Sequence, residues 1–133
     1  EEWADGGVTL DESIVYVGRL KALGVDYVTL SSGGIVPDIR KPPAEPGYMV
    51  HMAERVRRET GIPTMTVGGI AEARQADGII SSGQADMVAI GRAMLDDPRW
   101  AWHAAAALGL EPAPSRPYAR AAPQRWPFYH LAH

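Results

Sequence analysis

The sequence predicts an α/β protein with a parallel sheet, and two observations carry that prediction. Three times a helical segment closes on a glycine, a short strand-like run follows within a few residues, and that run ends in glycine: Gly24 to Gly33, Gly61 to Gly68 and Gly83 to Gly91. Helices alternating with strands imply β/α units, right-handed crossovers and a parallel sheet. The run Met87-Val88-Ala89-Ile90 is continuously apolar, as strands buried on both faces are. All three closing glycines then fall on the carboxyl edge of the sheet, where α/β proteins bind ligands.

Taken in order, residues 1–8 read as a loop around Gly6-Gly7. Thr9 with Glu12 three residues on is a capping box, and Leu10, Ile14, Val17, Leu20 and Leu23 recur at helical spacing up to Gly24. This helix is expected to pack on a sheet. Val25 to Leu30 is a β-rich strand running into the glycine-rich turn Ser31-Ser32-Gly33-Gly34, and the proline-studded stretch Ile35 to Gly47 is a long loop. Tyr48 to Thr60 is helical, with Met49, Met52, Ala53 and Val56 on one side and Glu54, Arg55, Arg57, Arg58 and Glu59 mostly on the other. Ile62 to Val67 is the next strand, closing on Gly68-Gly69. A weaker helix, Ala71 to Ser81, contains Gly78. Asp86 to Ile90 leads to Gly91-Arg92, and Asp96-Asp97-Pro98 introduces an alanine-rich helix from Trp100 to Leu108. Beyond Gly109 the tail is rich in Pro, Arg and aromatic residues. The organisation predicted is an α/β body over 1–110 and a tail over 111–133.

Composition removes several function classes. The chain has 133 residues, 46% of them hydrophobic, which supports one domain with a real core. Its formal net charge of −3 gives no basic field for nucleic acid or an anionic membrane surface. No apolar run approaches the roughly 18 residues that cross a bilayer. The absence of cysteine excludes disulfides, thiolate metal sites and a Cys nucleophile, and fits a cytoplasmic protein. The chain starts at Glu1 rather than Met and opens in mid-pattern, which reads as a piece of a longer protein.

The chemistry concentrates at Gly91-Arg92. A glycine after a buried strand lets backbone approach a ligand, and the following arginine supplies a forked cation, so the pair suggests a phosphate site. A (β/α)8 barrel takes about 250 residues and carries a recurring phosphate site in the loops after its seventh and eighth strands. If these are the last three units of such a barrel, Gly68, Gly69, Gly91 and Arg92 fall on that site, with Ala93 to Leu95 opening the short extra helix. The bland alternative is that the glycines only terminate strands.

A resemblance covers nearly the whole chain, from Trp3 to about Arg120. The runs Gly24 to Gly34, Pro46-Gly47-Tyr48 leading to Ala53-Glu54-Arg55-Val56-Arg57, Gly61-Ile62-Pro63-Thr64 with Val67-Gly68, Ala85-Asp86-Met87-Val88 with Gly91-Arg92, and Asp97-Pro98-Arg99-Trp100 are similar, in order and spacing, to the C-terminal part of the Old Yellow Enzyme family, nearest its YqjM-like ene-reductases. The resemblance implies a TIM barrel with FMN, using NADPH or NADH to reduce activated C=C bonds such as those of α,β-unsaturated carbonyls. It implies that Gly68, Gly69, Gly91 and Arg92 contact the FMN phosphate and that Ser31 to Gly34 lie near the rim. It further implies a homo-oligomer in which Arg120, within Tyr118-Ala119-Arg120, reaches the substrate in a neighbouring active site. Two departures stand out: Gly69 replaces a usually larger apolar residue, and the tail continues past Arg120 through Trp126, Pro127, Phe128 and Tyr129, for which packing on a partner is the only role suggested. The family's carbonyl-binding His pair and proton-donor Tyr have no counterpart here, so no catalytic residue is assigned.

His51, His103, His130 and His133 form no set with metal-ligand spacing, and Arg55, Arg57 and Arg58 read as the solvated face of a helix. Two other readings remain open: another phosphate-binding barrel enzyme, such as an isomerase or a dehydrogenase, and a non-catalytic chain that acts only by association. Three strands leave two unpaired edges, so the chain alone is expected neither to hold FMN tightly nor to turn over.

Overall fold

A computed structural model describes residues 2–33, 45–122 and 124–131. The described chain forms two compact units, Glu1–Ala71 with Gln75–Ile90, and Glu72–Arg74 with Gly91–His133. The predicted loop falls largely outside the described residues, as do Gly34 and His133.

In the first unit, helix α1 (Leu10–Ala22) begins where its capping box predicts. Glu12 N donates to Thr9 Oγ1 at 3.2 Å, and Thr9 N donates back to the Glu12 carboxylate at 2.9 Å. These bonds satisfy two of the amides a helix start leaves over, and they hold the Glu12 carboxyl below its ordinary pKa, the bond from the Thr9 backbone first. The expected packing on a sheet needs correction. Of the predicted stripe only Val17 is buried, Leu23 at the C-cap is 83% exposed, and α1 packs chiefly on helix α2 (Val50–Thr60). Polar ties draw it there. Asp11 pairs with Arg55, and Lys21 Nζ donates to Thr60 O at 2.7 Å, where the last carbonyls of α2 lack helical partners.

Helix α2 buries the face its periodicity selects. Met49, Val50, Met52, Ala53 and Val56 are inside, and Gly61, at φ 63°, closes the helix in the left-handed region. Against this face lies a parallel sheet of order β1 (Val28–Leu30), β2 (Thr64–Thr66), β3 (Met87–Val88). The register pairs Val28 with Thr64, Leu30 with Thr66, Met65 with Met87 and Thr66 with Val88. Because side chains alternate across a strand, Leu30, Thr64 and Thr66 point into the core, while Thr29, Met65 and Met87 share the opposite, more open face. Thr64 and Thr66 are fully buried, and neither hydroxyl finds a partner among the described residues.

The strands are shorter than the sequence predicts, because strand extent depends on the neighbour. Val25 N turns back to Leu20 O at the end of α1, and Pro63 has no N–H to donate, although its carbonyl accepts from Val28 N at 3.0 Å. Pairing persists just beyond β3 on both sides, through Asp86 N to Thr64 O and Ala89 N to Thr66 O. Helix α3 (Ala73–Ser81) starts two residues later than expected and buries Ala76 and Ile79.

The second unit contains helices α4 (Arg92–Asp96) and α5 (Trp100–Ala107) and two 3₁₀ turns, Arg116–Ala121 and Tyr129–Leu131. Asp97 organises the start of α5: its carboxylate accepts from Arg99 N at 2.9 Å and bonds His103 Nδ1. Desolvation pushes the Asp97 carboxyl up, but the bonds from His103 and Arg99 outweigh it and hold it below its ordinary value. The tail aromatics have an intramolecular role that the sequence left unassigned. Tyr118 lies against Trp102 with ring centroids 5.9 Å apart, Tyr129 meets His103 at 6.5 Å, and Trp126 meets Tyr129 edge-on at 6.1 Å.

Candidate functional site

The three strands run parallel, so the segments after β1, β2 and β3 leave from one edge. After β2, Gly68 and Gly69 take φ values of 101° and 64°, a region L side chains rarely enter. Space is as restrictive as the dihedrals. A Cβ on Gly68 would stand 2.9 Å from Tyr48 Cε1, and one on Gly69 would stand 2.9 Å from Glu45 O and 3.0 Å from Gly47 N. The Gly69 carbonyl accepts from Gly47 N at 3.1 Å and from Gln75 Nε2 at 2.8 Å. No acceptor among the described residues takes the amides of Gly68, Gly69 or Ile70.

After β1, Ser32 Oγ accepts from Trp3 Nε1 at 2.9 Å, and the indole stands so close over Gly33 that a Cβ there would lie 2.6 Å from Trp3 Cδ1. Trp3 in turn leans on Tyr48, with centroids 6.5 Å apart. Ser32, Trp3, Tyr48 and Gly68 thus form a continuous aromatic shelf along the carboxyl edge.

The end of β3 is different. Gly91 caps α4 at a negative φ of −96°, and a Cβ there would meet nothing among the described residues within 4 Å. Arg92 is exposed and forms no ion pair with the described residues, and no acceptor among them takes the Gly91 or Arg92 amide. Gly68 and Gly69 belong to the first unit, Gly91 and Arg92 to the second. Arg120 sits exposed in the 3₁₀ turn Arg116–Ala121, beside Tyr118 on its Trp102 contact.

Sequence reasoning missed Gln75, and it gave Trp3 and Tyr48 no place at the edge. Their signal was weak, because each acts through a contact 29 or more residues away or through backbone. The arginines of α2 lie on its solvent side, as expected, and two of them also make exposed ion pairs there: Arg57 Nε donates to Asp86 Oδ2 at 2.9 Å, and Arg55 bonds Glu59 Oε1 at 2.9 Å besides pairing with Asp11. Asp86 also accepts from Thr64 N at 2.9 Å; the Arg57 bond first, then this one, holds its carboxyl below the ordinary value. This pair lines a cavity of about 260 Å³ with Gly61, Ile62 and Pro63, at the amino edge of the sheet, opposite the glycine ends. Among the described residues no group of three or more His, Asp or Glu side chains converges as a metal site, and no helix is long and apolar enough to cross a membrane.

Helices set on a small parallel sheet with glycine-ended strands define an α/β protein. The profile of the NADH:flavin oxidoreductase / NADH oxidase family matches residues 1–111, and the chain belongs to that family, whose members are oxidoreductases working with FMN and NAD(P)H. It is 44% identical over 105 residues to an NADPH dehydrogenase of Geobacillus thermodenitrificans, covering 79% of this chain and 30% of that protein. It is 40% identical over 114 residues to one of a Geobacillus strain, covering 86% and 33%, and 38% identical over 120 residues to one of Listeria innocua, covering 90% and 35%. The chain therefore spans about a third of the length of these relatives.

Proposed function

We propose that these residues form the last three β/α units of a (β/α)8 barrel that binds FMN and uses NADPH or NADH to reduce activated C=C bonds, as part of a cytoplasmic homo-oligomer. The observation that carries the reading is the set of amides at Gly68, Gly69 and Ile70 and at Gly91 and Arg92 that no acceptor among the described residues takes, on a chain of this family. The open sheet face of Thr29, Met65 and Met87 supports it too, since parallel sheets occur almost only with both faces covered.

The residues fit a phosphate. Amide donors and an unpaired guanidinium are what a phosphate monoester accepts, and glycine keeps Cβ atoms out of the way. Gly68, Gly69, Gly91 and Arg92 would hold the FMN phosphate, Arg92 neutralising its charge. FMN, when bound, supplies hydride transfer between nicotinamide and an electron-poor alkene carbon. Within this chain the residues bind and orient; the groups that would polarise a carbonyl or deliver a proton are not among them. Arg120 would contact the enone-type substrate of a neighbouring subunit, a role its exposed position supports. The test is purification of the full-length protein. Bound flavin and NADPH oxidation coupled to loss of a cyclic enone are expected; a colourless folded protein that takes up no FMN would overturn the reading.

A further inference from the structure

Gln75 reaches back from α3 to both ends of the turn that follows β2. Its Nε2 donates to Gly69 O at 2.8 Å, and its Oε1 accepts from Ala71 N at 3.1 Å. The same Nε2 lies 3.5 Å from where a Cβ on Gly47 would stand, and Gly47 N is the second donor to Gly69 O. A carbonyl with two donors is fixed in direction. Because a trans peptide is planar with its C=O and N–H opposed, the Ile70 amide is fixed the opposite way, and it meets no protein acceptor among the described residues. One uncharged side chain, together with Gly47 N, thus sets the orientation of a peptide whose N–H has no acceptor among the described residues.

We propose that Gln75 is a positioning residue for the cofactor phosphate: it presets the Gly69 to Ala71 backbone so that the Ile70 amide, which no acceptor among the described residues takes, is presented to the phosphate without rearrangement. This rests on the FMN-phosphate reading above. Preset donors hold a ligand more tightly than donors that must be ordered on binding, so losing Gln75 weakens phosphate recognition while leaving contacts to the rest of the ligand alone.

The experiment compares FMN with riboflavin, which lacks the phosphate, by flavin fluorescence titration of the full-length apoprotein. In Gln75→Met, which keeps the volume and loses both polar atoms, FMN affinity is expected to fall about tenfold, the scale of one or two hydrogen bonds, with riboflavin affinity unchanged. Gln75→Asn, which keeps the amide one methylene shorter, is expected to lose less. Equal losses for the two flavins, or no loss for either, overturn the positioning role. A parent protein that binds FMN no better than riboflavin overturns the phosphate reading itself, and the proposal with it.

Discussion

Two strand ends that look alike in sequence, Gly68-Gly69 after β2 and Gly91-Arg92 after β3, turn out to be glycine-ended for different reasons. At Gly68 and Gly69 the backbone demands glycine: φ is positive at both, and Tyr48 and the backbone of residues 45–47 occupy the space of a side chain. At Gly91 nothing among the described residues fills the Cβ position, and φ is negative. One glycine end is thus accounted for by internal packing, whereas no described neighbour accounts for the other. A glycine motif alone does not separate an architectural cause from a ligand; the dihedral and the neighbours do.

The largest expected effect breaks the first end. Gly69→Ala should destabilise the protein by about 2–4 kcal/mol, combining a left-handed backbone with a Cβ pressed on two backbone atoms, as measured by urea unfolding. Gly91→Ala should leave stability within about 0.5 kcal/mol, because its φ is negative and no described atom stands where the methyl group would go. Comparable losses at the two sites would erase the distinction. A smaller gain is expected from the core beneath the sheet. Thr64→Val and Thr66→Val each remove a buried hydroxyl without a partner and should stabilise by about 1 kcal/mol, seen as a higher thermal midpoint.

The smallest effect concerns the opposite, amino edge. Asp86 has its pKa lowered below 3.8 by Arg57 and by Thr64 N, so its contribution is present above the unfolded value and lost as pH falls through the folded one. Asp86→Asn should therefore flatten the acid limb of the stability curve below about pH 4 and do little to flavin affinity, since the Arg57 pair lies at the edge away from the glycine ends.

What could be read in advance follows the range of the interactions involved. Helix α2 was legible because Met49, Met52, Ala53 and Val56 recur at its own period and Gly61 stops it; the Thr9 and Glu12 box likewise acts within one turn. Strand limits were not legible, because whether Val25 or Pro63 joins a ladder depends on a neighbour far along the chain. Threonine burial was ambiguous, since the residue suits a strand whether exposed or inside. At the candidate site the glycines and Arg92 stood out by type, whereas Gln75, Trp3 and the Arg57 and Asp86 pair gain their roles only once the chain is folded. The tail was opaque for the same reason: Tyr118 and Tyr129 seek rings on α5, not neighbours in sequence.

The central claim is that the open end at Gly91-Arg92 faces a phosphate, and Arg92→Met tests it most directly. In the full-length apoprotein, the FMN dissociation constant should rise at least about tenfold, as expected for a lost charge-assisted hydrogen bond, while the thermal midpoint stays unchanged. Unchanged FMN affinity would contradict the account, because an exposed arginine that leaves the cofactor's grip unaltered when removed does not hold its phosphate.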